Sequence, residues 1–380
     1  MDDAAFGALA QAFREGGAER GFARLAERWL AEKNYPALFE TRLMAARVAA
    51  GLPAILNGPP EDLDPEQRAK YEQAQIAAAR ETGELFLRDG QIYRAWPYFR
   101  AVGDPAPVRQ AIAQAKPSPE EVDGLVEIAF HEGVDPKRGF ELILEHYGTC
   151  RAITNFNHFP SPEGREESAL LLTRTLYADL LANLKRAVES VEGSEPQTDS
   201  IAELIEGRDW LFEGNAYYLD TSHVSSIVQM SVNLENEQTL RMALDLTEYG
   251  KRLGEMYQFR GEPPFENVYE DCGVWLRAML GEDSDAAVEH FRAKIEPEQD
   301  PYGDPPAQAL VRLLVRLGRY DEAVEVARER LADLDPQRLS CPTLYELCLL
   351  AEKPARLAEL AKGRGDLIAY AAALAEGAAA

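Results

Sequence analysis

The stretch Ala307–Pro336, AQALVRLLVRLGRYDEAVEVARERLADLDP, decides how this chain folds. Val311, Leu314, Val315 and Leu317 recur at helical spacing, and Ala323, Val326 and Ala327 resume the pattern after Gly318. Apolar residues at i, i+3 and i+4 mark one face of an amphipathic helix. A glycine between two such patterns marks a turn, because it accepts the left-handed backbone that closes a helix. Near the start of the chain Phe22, Leu25, Ala26, Trp29 and Leu30 form the same stripe. Alternating β-branched runs are almost absent. Pro and Gly punctuate between helical patterns, at Gly51–Pro53, Gly58–Pro60 and Gly103–Pro107. The expectation is an all-α protein of roughly fifteen to twenty helices, many in antiparallel pairs joined by short turns.

The segment Ala307–Pro336 resembles a tetratricopeptide repeat. Leu310 and Leu314 sit on the first helix and Gly318 makes the turn. Tyr320, Ala323 and Ala327 open the second helix at the aromatic and small positions of the motif, and Asp335-Pro336 closes it, about one position late. Small Ala residues let two helices approach closely. A second match is Leu85–Pro105, LFLRDGQIYRAWPYFRAVGDP, where Gly90, Ala95 and Phe99 repeat the spacing of Gly318, Ala323 and Ala327. A third and poorer one is Glu27–Pro53. The large aromatic early in each first helix is mostly missing, and residues 117–295 do not follow the repeat. The resemblance implies a tetratricopeptide-like α-solenoid with an irregular central segment, and no specific activity.

Composition sets the limits of function. Hydrophobic residues make up 46%, enough for a packed core. There are 40 Lys and Arg against 65 Asp and Glu, a net charge of −25. Binding to nucleic acid or anionic membrane draws on neutralised phosphates, so this charge opposes both, while basic partners remain compatible. Four cysteines, Cys150, Cys272, Cys341 and Cys348, form no CxxC, and reduced thiols are expected. The first residues, MDDAAFGALAQAF, lack the basic region of a signal peptide, and no uncharged apolar run reaches the ~18 residues of a membrane span. A cytoplasmic location is the expectation.

Polar loops at Glu192–Asp199 and Glu296–Pro306 interrupt the helical text. Three regions are expected: 1–116 and 296–380 as helical-repeat lobes, and 117–295 between them. The central region holds all five histidines, and four of them, His131, His146, His158 and His223, fall within 93 positions. His131 ends a helix stopped by Gly133 and Pro136. The next helix is expected over about 137–147 with Gly148 as its cap, which sets His146 roughly 14 Å along the axis at 1.5 Å per residue. His131-Glu132 does not continue into a zinc-protease signature, because position 135 is Asp and the helix is broken.

Asp220-Thr221-Ser222 reads as a helix start, so His223 would lie in a first turn. That end of a helix disfavours the imidazolium and keeps the ring neutral for proton transfer or metal ligation. Asp220 and His223 are the candidate catalytic pair. His131, His146 and His223 are the candidate metal ligands, with a divalent metal such as zinc as the alternative to no cofactor. Tyr147, Cys150, Arg151, Asn155 and His158, read as a loop after His146, are the candidate binding residues. The leading functional expectation is a scaffold whose groove binds a protein or peptide. The alternative is a metal-dependent or acid–base enzyme around His223, Asp220 and His146.

Overall fold

The computed structural model describes residues 3–55, 64–297 and 303–379. Gly58–Pro60 and residues 298–302 of the acidic loop lie outside the described residues. The chain divides into two compact units, Met1–Arg165 and Glu166–Ala380, and the borders expected near 116 and 296 fall within these units. Among the described residues the regular structure is helical, with one isolated bridge between Arg260 and Asn267.

The first unit contains α1 (Asp3–Ala31), α2 (Tyr35–Ala49), α3 (Pro65–Arg88), α4 (Ile92–Ala101), α5 (Ala106–Gln114), α6 (Val122–Val126) and α7 (Pro136–Phe156). The helix α1 is broken at Gly16 and Gly17, and Phe13 meets Phe22 edge-on at 5.4 Å. After α6 the chain makes a π-helical turn, Glu127–His131. The unit's core is aromatic: Phe130, Phe140, Phe156 and Phe159 form one cluster, and Tyr35, Phe86 and Tyr98 another.

The second unit contains α8 (Arg165–Glu192), α9 (Ile201–Ile205), α10 (Thr221–Ser231), α11 (Glu237–Arg252), α12 (Val268–Met279), α13 (Ser284–Ala293), α14 (Pro305–Arg316), α15 (Tyr320–Arg330), α16 (Leu344–Leu350), α17 (Pro354–Arg364) and α18 (Leu367–Ala379). On α8, Leu172, Leu176, Leu180, Leu184 and Val188 form an unbroken buried stripe, the i, i+4 row of an amphipathic helix. Trp275, Phe291 and Phe265 pack together where α12 meets α13. All four cysteines are free thiols, and three of them are buried. No described helix is long and apolar enough to cross a membrane.

Successive helices pack on each other: α1 on α2, α2 on α3 and α3 on α4 in the first unit, and each of α10 through α17 on the next in the second. Many of the turns between them share one closure. The residue past the helix end takes a left-handed backbone, and the next N–H donates to the carbonyl five residues earlier. Asn34 donates to Trp29 at 2.8 Å, Gln91 to Phe86 at 2.9 Å, Glu282 to Arg277 at 2.8 Å and Arg319 to Leu314 at 2.8 Å. Lys353 donates to Cys348 at 3.0 Å and Asp366 to Ala361 at 2.9 Å. Gly90 and Gly318 supply the left-handed residue at φ +74 and +72, while Lys33 and Glu352 adopt it without being glycine. Leu310, Leu314, Ala323 and Ala327 of the opening stretch, and Ala95 and Phe99 of its counterpart, are all buried.

One local expectation is corrected. Gly148 does not end its helix. It takes φ 76 and ψ 179 inside α7, and the chain resumes a helical path to Phe156. The buried side chains Ala152, Ile153 and Phe156 explain why: an apolar face past the glycine packs into the core and sustains a second helical piece.

Candidate functional site

The residues singled out in the sequence divide between the two units. His131, His146, Tyr147, Cys150, Arg151, Asn155 and His158 stand in the first, Asp220 and His223 in the second. Among the described residues, no three His, Cys, Asp or Glu side chains form a group that could hold a metal ion.

In the first unit the expected binding loop is helix. Tyr147, Cys150, Arg151 and Asn155 lie on either side of the α7 kink, and only His158 sits in the turn beyond. Their polar groups are mostly satisfied locally. The Tyr147 hydroxyl bonds the Asp123 carboxylate, a contact that raises the phenol above its usual range. The Arg151 guanidinium lies 5.7 Å from the centre of the Tyr147 ring. Asn155 Nδ2 donates to the Arg151 carbonyl at 2.9 Å. Cys150, His146 and His158 are exposed. His131 is exposed at the end of the π-turn. Its neighbour Glu132 accepts from Trp96 Nε1 and from Arg100, each at 2.7 Å.

Asp220 caps α10 as its sequence position suggested. Its Oδ1 accepts from the Ser222 N–H at 2.9 Å and the Ser222 hydroxyl at 2.6 Å. The Ser222 hydroxyl, foremost, holds the carboxyl below its ordinary range, and nearby His223 adds to this. The direct hydrogen bond from His223 to Asp220 is through the backbone, N–H to carbonyl at 3.1 Å. Asp220 Oδ1 is therefore engaged in the cap, and no side-chain hydrogen bond joins Asp220 to the ring of the half-buried His223 among the described residues.

A different histidine gains a carboxylate partner. His290, the one outside the central cluster, places Nε2 2.8 Å from Asp271 Oδ1. Asp271 is only 1% exposed. Its Oδ2 accepts from Lys294 Nζ at 2.9 Å and from the Asn267 N–H at 2.8 Å, and Lys294 also reaches Glu266 at 2.8 Å. Burial opposes the charge on Lys294, but its bonds to Glu266 and Asp271 outweigh that and raise its pKa. A buried carboxylate is tolerated only when paired in this way. The network ties the 262–267 loop and the start of α12 to α13. The signal for it lay in the sequence: Val268, Asp271, Cys272 and Trp275 share one helical face, so the period places a carboxylate in an apolar stripe. Glu266 and Glu270, four apart, serve different lysines, Lys294 and Lys251.

The neighbouring face of α12 borders a pocket of about 400 Å³, between α10, α14 and the 262–265 loop. Gln229, Cys272, Phe265, Gln308, Arg312 and Arg338 are among its lining residues. Burial pushes the Cys272 thiol up to about 12, so it lines the pocket as a neutral group. On α14, Gln308, Arg312 and Arg316 follow at four-residue intervals and form one polar row. Gln308 is held on both sides, donating to the Gly303 carbonyl and accepting from the Ser340 N–H at 2.6 Å. Arg316 donates to the carbonyls of Val232, at 2.7 Å, and Leu234, where α10 ends. A cation there complements the negative end of the helix. Arg312 Nη1 donates to Asn233 Oδ1 at 3.2 Å, and its guanidinium lies 5.8 Å from the centre of the Trp275 ring. Burial lowers both arginines below the usual guanidinium range.

Comparison of the chain with protein-family models, with curated proteins and with solved structures gave no match.

Proposed function

We propose that this chain is a helical-repeat interaction protein, a tetratricopeptide-like solenoid of antiparallel helix pairs that binds a protein or peptide. The observation that carries the reading is the recurring left-handed closure between successive helices, met at Lys33, Gly90, Gly281, Gly318, Glu352 and Gly365. A chain that repeats one turn and packs most of its helices on the next builds a surface by stacking, and such stacked helices serve mainly as binding surfaces. The net charge of −25 favours a basic partner, through association steered by electrostatics and weakened by salt.

The test is selection from a random peptide library on the immobilised full-length chain. Enriched peptides are expected to be basic, to bind at about micromolar affinity and to lose affinity as salt rises. Enrichment no better than on an unrelated acidic helical protein would sink the proposal.

A further inference from the structure

The pocket beside α12 holds an unanswered guanidinium. In the same unit Arg319, Arg330 and Arg356 each pair with a carboxylate. Arg312 and Arg338, which line the pocket, have no carboxylate partner among the described residues, although the chain carries an excess of acid. Asn233 occupies Nη1 of Arg312. The arginine's Nε is shut away from water, so a ligand in the pocket meets this guanidinium at Nη2, which has no acceptor among the described residues. A charged donor left without a partner is costly. The group that would answer it is an acceptor or an anion rather than a second cation.

We propose that this pocket binds a small organic monocarboxylate, with its carboxylate on Nη2 of Arg312 and its apolar body against Val232, Pro264 and Phe265. A guanidinium N–H donating to a carboxylate oxygen is a charge-assisted bond, stronger than one between neutral groups. The apolar wall suits an organic body better than a bare ion, and the volume of about 400 Å³ lies in the range of small-molecule sites. Exposed Arg338 adds a second positive charge at the mouth. Exposed Glu262 on the same rim opposes a second negative charge, which selects against phosphate and other dianions.

The experiment is calorimetric titration of the full-length chain, in a buffer free of carboxylate, with propionate, butyrate and benzoate, and separately with inorganic phosphate. One carboxylate is expected to bind at one site per chain, and phosphate is expected not to displace it. Arg312→Gln is expected to weaken binding by about tenfold or more, the loss of a charge-assisted pair. Arg338→Ala should weaken it and Glu262→Gln should strengthen it. These two alter exposed side chains and keep the test decisive if Arg312→Gln does not fold. Absence of binding by all three carboxylates up to about 10 mM would overturn the proposal. So would phosphate binding in their place, or an affinity that none of the variants moves.

Discussion

Asp220 shows how one residue can carry two readings that only geometry separates. A carboxylate three residues before a histidine reads equally well as a catalytic orienter and as a helix cap. The two bonds from Ser222 show it in place as the cap. Asp220→Ala is therefore expected to cost about 1 kcal/mol in urea unfolding at neutral pH, the usual loss for an N-cap, and Asp220→Asn much less. The side chain is exposed, so its charge adds little beyond the bond itself. Its folded pKa is depressed below the ordinary 3.8, so the stabilisation from its charge is present above that value and fades as pH falls through the folded one. The difference between the native chain and Asp220→Ala should thus narrow in unfolding curves taken below about pH 3.8. A difference that stays constant to pH 2 would show that the carboxylate charge plays no part.

At the scale of the element, the helix-ending turns are legible residue by residue where glycine marks them. Gly90 and Gly318 are both readable in the sequence, since a left-handed residue past a helix end is best served by glycine. Lys33 and Glu352 adopt the same backbone and carry no such mark. The packing of the helices on either side holds them there against a local preference of about 1–2 kcal/mol. Glu352→Gly should accordingly raise stability by roughly 0.5–1 kcal/mol, after the entropy glycine adds to the unfolded chain. Gly318→Ala should lower it by about 1 kcal/mol. Thermal unfolding of the two variants beside the native chain checks both signs, and a Glu352→Gly variant with a lower Tm would refute the shared closure at that turn. Gly148 shows the limit of such marks. It reads as a terminator, yet α7 continues because Ala152, Ile153 and Phe156 are buried on its far side.

For the whole molecule, the division at Arg165 makes the plainest prediction. A fragment of residues 1–165 should unfold cooperatively with a helical circular-dichroism spectrum. A fragment ending at 116 should not, because it loses α6, the π-turn and α7, and with them the cluster of Phe130, Phe140, Phe156 and Phe159. A cooperative 1–116 fragment would support the lobe border drawn where the repeat pattern stops. Helical class was readable along the chain because a period of 3.6 is a property of neighbours: the stripes of α8, α14 and α15 are written within a dozen or two residues each. So was the N-cap at Asp220. The partnership of Asp271 with His290 and Lys294, and the pocket around Arg312, join residues tens of positions apart. Their pairing depends on which faces of α10, α12, α13 and α14 meet, and a burial that removes water from a carboxylate or a guanidinium exists only once those helices have packed.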